Sequence, residues 1–290
     1  MPYLYLSLSV FLSASSSILA KIFNRKNSNK TDTSAFYGFW IMLSACLGWA
    51  IFWIIDFSFN ANVLWYSLAY AVCYAITVAG SINALKHGPI ALTTLMNSLS
   101  LILTTIWGFI FWGSTLNITV VMGLLLVICS ITLCLYSKKT EEKKVSTKWL
   151  VYVLLAFFGN AGCSIVQRTQ QTQYEGAHGK QLMFFAILLS ASVYLFIYLK
   201  SNRIDTPTML KTSVWLPICA ALLNLVLNVF VMLLANTKLS PSLIYPVIGV
   251  GSLAVTLVFS LFVFKEKMHW RQWVGVGIGA VAVLLLSINK

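Results

Sequence analysis

The sequence predicts an all-α, polytopic membrane protein, with ten transmembrane helices arranged as two inverted five-helix repeats. Three observations predict it. The 290 residues are 59% hydrophobic and only 9% charged, with a mean hydropathy of +0.85. Soluble domains carry about 25% charged residues. The apolar runs last about 20 residues, the length a helix needs to cross the hydrocarbon core. A transmembrane β-barrel would instead show short alternating strands. The longest polar stretch, SKKTEEKKVSTK at Ser137–Lys148, divides the runs five and five.

The predicted helices cover approximately residues 3–23, 33–55, 63–86, 89–112, 115–136, 147–170, 178–199, 209–235, 240–264 and 269–288. Most connections are a few residues long, which forces neighbours to run antiparallel. The chain therefore divides into a first repeat, 1–137, a charged linker, 138–148, and a second repeat, 149–290. With an odd number of helices per half, the second half enters the membrane in the opposite sense. That arrangement recurs in secondary transporters.

The two halves also match in sequence. Pro89 lies over Pro241, Ser100 over Ser252, Thr104 over Thr256 and Gly123 over Gly275. Near the start of each half, Ser17-Ile-Leu-Ala-Lys21 lies over Ser164-Ile-Val-Gln-Arg168.

Several helices carry polar faces that a lipid-exposed helix would not need. In the fourth, Thr93, Asn97, Ser100 and Thr104 fall at spacings of four, three and four, so they share one face. In the third, Tyr70, Tyr74, Thr77 and Ser81 repeat that spacing. Such stripes either pack against other helices or line a cavity. Asn224 and Asn228 sit one turn apart on the eighth helix, and Asn160 and Gln167 share a face of the sixth. These amides serve as interhelical glue or as solute contacts. Trp40 lies mid-helix, away from the interfacial belt that explains Trp65, Trp149, Trp270 and Trp273. Pro246 follows Tyr245 in the ninth helix and is expected to free a carbonyl there.

Soft patterns along nearly the whole chain carry a family resemblance. They are the first helix ending in Lys21, the Ala-Leu-Lys-His-Gly-Pro turn at 84–89 and the Leu-Ser-Pro-Ser turn at 239–242. Tyr245-Pro246 and Phe264-Lys265-Glu266-Lys267 before a Gly-rich last helix complete them. In these the chain resembles the ten-helix, EamA-like members of the drug/metabolite transporter (DMT) superfamily. The resemblance implies transport of small organic solutes by alternating access, with the pocket between the halves.

Charge separates the two ends. The net charge is +13. Most Lys and Arg fall in loops after the odd-numbered helices, as at Arg25 and Lys26, at Lys138–Lys144 and at Lys265–Arg271. The positive-inside rule puts those loops in the cytoplasm and both termini outside. The excess of positive charge is thus topological and does not indicate nucleic-acid binding. Lys21 and Arg168 are the charges nearest the interior. Each reads either as a snorkelling side chain or as a gate or charge partner on the pathway.

The acids Asp32, Asp56, Glu141, Glu142, Glu175, Asp205 and Glu266 all fall in loops or at helix ends. The small multidrug members of the superfamily carry a central membrane glutamate, and Ser13–Ser17 occupies that region here. A pocket bounded by Lys21 and Arg168 would favour neutral, zwitterionic or anionic solutes. The six cysteines lie in apolar runs without CxxC or zinc-site spacing. His87, His178 and His269 are separated and near loops. No P-loop is present for ATP, and the start lacks the basic region of a cleaved signal peptide.

The expected function is a non-enzymatic, cofactor-free, secondary-active transporter of a small polar or amphipathic metabolite, such as an amino acid or nucleobase. The expected site is Trp40, Tyr74, Asn97, Gln167, Asn224, Asn228 and Tyr245, gated by Lys21 and Arg168. Alternatives are a multidrug exporter of the same fold, a non-transporting membrane subunit, and a membrane-embedded lipid enzyme. The expected setting is a bacterial plasma membrane. The chain is expected there as a monomer or as a homodimer through the Gly275–Gly279 step of the last helix.

Overall fold

Every one of the predicted apolar segments is helical, and two of them are split. The computed structural model describes residues 2–111, 118–135, 146–201, 205–235, 241–266 and 269–288. Among these there is no strand. The helices of the first half are α1 (Pro2–Lys26), α2 (Thr33–Ile55), α3 (Val63–His87), α4 (Ile90–Leu99), α5 (Leu101–Phe111) and α6 (Ile118–Leu135). Those of the second half are α7 (Thr147–Gln173), α8 (Gly179–Lys200), α9 (Thr206–Thr212), α10 (Trp215–Ala235), α11 (Pro241–Phe262) and α12 (Trp270–Ile288). Residues 138–145 of the predicted linker lie outside the described residues.

Local chemistry sets the ends. Gly88 precedes Pro89, and the residue before a proline is disfavoured in helical conformation. Gly88 is accordingly extended (φ −151°, ψ −177°), so α3 stops at His87 and α4 starts at Ile90. The predicted fourth helix then breaks at Ser100. The Ser100 amide bonds the Asn97 carbonyl, and the Leu103 amide bonds that of Ser100. These are i→i−3 contacts, a tightened turn of the kind found at functional hinges. The predicted eighth helix is bent by 56° between α9 and α10. Pro246 lies inside α11, which is helical from Pro241 to Phe262.

Among the described residues, six helices are long and apolar enough to cross a membrane, or seven if α9 and α10 form one bent span. The surface agrees with this. Leu47, Ile51 and Ile54 of α2 are exposed, as are Val72 of α3, Phe158 of α7 and Phe196 of α8. Ser67, Ser100, Ser130, Ser190, Thr256 and Ser260 are buried. Soluble monomers do not carry this much contiguous apolar surface. The protein is an integral, multi-pass membrane protein.

Packing crosses between the halves. α3 lies along α7 and α8, α1 along α10 and α11, α2 along α8 and α10, and α6 along α12. α4 meets α11, and α4 and α5 both meet α7. The α3–α7 contact is backbone to backbone. A methyl on Gly80 would sit 2.5 Å from the Ala156 nitrogen, and one on Gly159 would sit 2.8 Å from the Cys73 carbonyl. Small residues let membrane helices approach this closely, where dispersion rather than water exclusion holds them.

Candidate functional site

Lys21, near the end of α1, is buried and fully engaged. Its Nζ lies 2.9 Å from Glu266 Oε1 and donates to the Leu85 and Gly88 carbonyls, the former at 2.9 Å. Glu266 Oε2 accepts from the Ile90 amide at 3.0 Å and from Ser260 Oγ at 2.6 Å. One ion pair therefore joins α1, the α3–α4 turn and the end of α11. Buried charges persist where a partner and further hydrogen bonds compensate lost hydration. Around it, Arg25 donates to the Phe264 carbonyl at 3.0 Å and lies over the Phe264 ring. Asn24 donates to the Ile82 carbonyl at 2.7 Å.

The polar stripe of α4 and α5 divides by role. Thr93 Oγ1 donates to the Pro89 carbonyl and accepts from Trp149 Nε1 at 3.0 Å, so it is structural. Ser100 Oγ donates to the Asn97 carbonyl at 2.6 Å. Asn160 of α7 reaches the same break. Its Nδ2 donates to the Asn97 carbonyl at 3.1 Å and to Ser100 Oγ at 2.7 Å. Asn97 Nδ2 is 3.3 Å from Ser81 Oγ of α3. Asn97 Oδ1 and Thr104 Oγ1 are buried without a protein hydrogen-bond partner. Such atoms call for a specific explanation, and a bound water or solute supplies one.

The other expected residues are dispersed along the bundle. Tyr74 of α3 is half-buried, with its ring 5.8 Å from that of Tyr70. Trp40 of α2 packs beside Phe36 and Phe39, and its buried Nε1 has no protein partner. Asn224 Nδ2 donates to Ser16 Oγ of α1 at 2.9 Å, and Asn228 Nδ2 donates to the Asn224 carbonyl at 2.7 Å. Gln167 is half-buried and Arg168 exposed, both on α7. Tyr245 belongs to α11, and its side chain lies outside the described residues. In α12, the Gly275 carbonyl accepts from Ser130 Oγ of α6 at 2.7 Å, and a methyl on Gly279 would meet Leu95 and Ser130 at 2.6 Å. The Gly275–Gly279 step thus packs within the chain, against α6 and α4.

Comparison with known proteins agrees with this architecture. The family model that matches is the EamA-like transporter family, over residues 1–136. Over that stretch the chain is similar to the EamA-like transporter family of the DMT superfamily. An uncharacterized protein of Haemophilus influenzae is 24% identical over 207 residues, which is 70% of this chain and 68% of that relative. A solved crystal structure covers 97% of this chain and 96% of its own, at a TM-score of 0.60 and 10% identity. That likeness is one of fold alone.

Glu266 is the main residue that sequence reasoning left in a loop. Its signal was a lone acid between Lys265 and Lys267 directly after the α11 apolar run. Nothing local indicated that its partner would be Lys21. Asn160 was legible as a polar helix residue, but its place against a break in another helix was not.

Proposed function

We propose that this EamA-like protein is a secondary-active transporter of a small polar or amphipathic organic metabolite, an amino acid, nucleobase or similar. It works by alternating access between two inverted five-helix repeats in a bacterial plasma membrane. The packing pattern carries the reading. Exchange the first five predicted segments for the last five, and α3–α7 becomes α10–α1, α3–α8 becomes α10–α2, and α1–α11 becomes α7 with α4 and α5. The contacts α2–α8, α6–α12 and α4–α11 map onto themselves. All of these pairs are in contact. A pseudo-two-fold bundle has two arrangements of similar energy, one open to each side, which is what alternating access requires.

Within that reading the Lys21–Glu266 junction closes one end. The charge bias assigns that end to the cytoplasm, leaving both termini outside. Arg168, toward the other end of α7, is the counterpart charge of the second repeat. Asn97 Oδ1 and Thr104 Oγ1 are the polar atoms offered to the solute path. Gln167, Asn224, Asn228 and Tyr245 add hydrogen-bonding groups, while Tyr74 and Trp40 contact the apolar part. Energy comes from a solute or ion gradient. Uptake into proteoliposomes, screened against amino acids, nucleobases and drug-like cations, tests the proposal. Absence of flux across that panel sinks it.

A further inference from the structure

An open, surface-facing cavity of about 550 Å³ lies between the start of α3, the end of α7 and α5. It sits at the end of the bundle opposite the Lys21–Glu266 junction, because α3 and α7 are antiparallel and their other ends meet at His87 and Tyr152. Its volume falls in the range of small-molecule sites, about 300–1,000 Å³. None of the expected site residues lines it.

The cavity follows from how α3 and α7 are packed. At Gly80 and Gly159 the two backbones touch. Toward the cavity the small residues give way to Tyr66 on α3 and to Gln173 and Tyr174 on α7. Tyr66 Oη donates to Gln173 Oε1, and the Tyr66 and Tyr174 rings meet edge to face at 6.3 Å. These contacts bridge the helices at one rim. Trp65, 74% exposed, and Trp107 of α5, 38% exposed, keep ring surface uncovered in the lining.

We infer that this cavity binds an uncharged, planar heteroaromatic solute, stacked on Trp65 and Trp107 and hydrogen-bonded along its edge by Asn62, Thr169 and Gln173. Its place in a transport cycle rests on the transporter reading above. Aromatic walls hold planar rings through stacking. The polar groups offer both donors and acceptors. Thr169 Oγ1 donates to the Ile165 carbonyl at 2.8 Å and retains its lone pairs as acceptors. Gln173 accepts from Tyr66 through Oε1, leaving Nε2 to donate. No carboxylate, ammonium or guanidinium is among the described lining residues. An organic cation would find aromatic faces but no counter-charge, in a chain of net charge +13. An anion would find no cation. A lipid tail would leave Gln173 Nε2 and the Thr169 Oγ1 lone pairs unmet, which costs binding energy.

The test is equilibrium binding to the purified full-length protein in nanodiscs. The probes are adenine, nicotinamide and indole, which are uncharged at neutral pH, with tetraphenylphosphonium as the cationic competitor. At least one uncharged probe binds. Trp65→Ala and Trp107→Ala each weaken it about tenfold, as loss of one stacking face does. Trp65→Phe retains most of the affinity, and Gln173→Leu loses affinity for adenine and nicotinamide. The inference is overturned if none of the three probes binds, or if binding ignores both tryptophan substitutions. Tighter binding of tetraphenylphosphonium at the same tryptophans overturns it, as does a co-purified lipid that the probes fail to displace. Flux is measured in parallel. Binding that follows the variants without any flux supports the site and removes the transporter reading. Flux indifferent to the variants does the reverse.

Discussion

Lys21 Nζ and Glu266 Oε1 lie 2.9 Å apart, with both side chains largely withdrawn from solvent. The pair ties the end of α1 to the end of α11, near opposite ends of the sequence. Lys21 also holds the Leu85 and Gly88 carbonyls, while Glu266 holds the Ile90 amide. The α3–α4 turn, whose helix ends lack partners for their terminal backbone groups, is therefore satisfied by the two charges. Removing one charge strands the other. Lys21→Met or Glu266→Gln is expected to destabilise the protein by about 3–5 kcal/mol, with the double variant losing much less than the sum. Thermal unfolding of all four proteins in one detergent measures this. Strict additivity would show that the two charges do not act as a pair.

Asn160 supports the break at Ser100 from outside the broken helix. Asn160→Ala leaves the Asn97 carbonyl and the Ser100 hydroxyl each short of a donor. The Asn97 carbonyl keeps the Ser100 amide and hydroxyl, so the expected loss is about 0.5–1.5 kcal/mol per hydrogen bond removed rather than the cost of an orphaned group. Asn160→Gln, which keeps the amide one methylene away, should recover part of it. The same unfolding measurement decides, and an unchanged midpoint for Asn160→Ala would mean the break supports itself.

Gly80 is where α3 and α7 meet backbone to backbone. A side chain there must displace Ala156 or Tyr152 main-chain atoms. Gly80→Val is expected to cost at least about 1–3 kcal/mol, as overpacking does. Gly277 of α12 has open space where its Cβ would go, so Gly277→Val is the matched control and should leave stability nearly unchanged. Equal effects at the two glycines would contradict the close approach.

Asn97→Leu separates function from scaffold. It removes the buried Oδ1 that has no protein partner and the long contact with Ser81. Losing that acceptor should relieve stability rather than reduce it. Solute flux, by contrast, should fall about tenfold or more if the carbonyl binds the solute in the rate-limiting state. Asn228→Leu is the companion test, since its Nδ2 serves its own helix. Expression, membrane insertion and flux are compared in the same proteoliposomes. Flux that survives both substitutions would remove these amides from the path.

Much of the bundle could be read along the chain because hydropathy is local. The predicted boundaries of α2 coincide with the observed helix, and those of α3, α7 and α8 agree to within a few residues. The Gly88–Pro89 stop was likewise written in two adjacent residues. The break at Ser100 was not. A stretch of Leu, Thr and Ile has no local reason to interrupt its ladder, and the amide that stabilises the interruption comes from α7. At Pro246, a local helix-breaking residue, the helical span of α11 runs on from Pro241 to Phe262.

For the candidate site, composition identified the residue types and packing chose their work. Thr93, Asn97, Ser100 and Thr104 look equivalent as a stripe. Trp149 and Asn160 take up Thr93 and Ser100, leaving Asn97 and Thr104 with unmet polar atoms. Trp65 reads as an interfacial anchor until Trp107 and Gln173 are seen beside it in one cavity.

The sequence by itself determined that this chain crosses a membrane repeatedly as helices, because the cost of burying backbone and charge in lipid is fixed residue by residue. It also determined which end carries the positive charge. Only the tertiary structure decided that Lys21 and Glu266 neutralise one another, that α3 and α7 touch at glycine, and that an aromatic cavity opens at the far end. Those outcomes depend on contacts between residues on different helices, far apart along the chain, and no periodicity within a single helix encodes its partner.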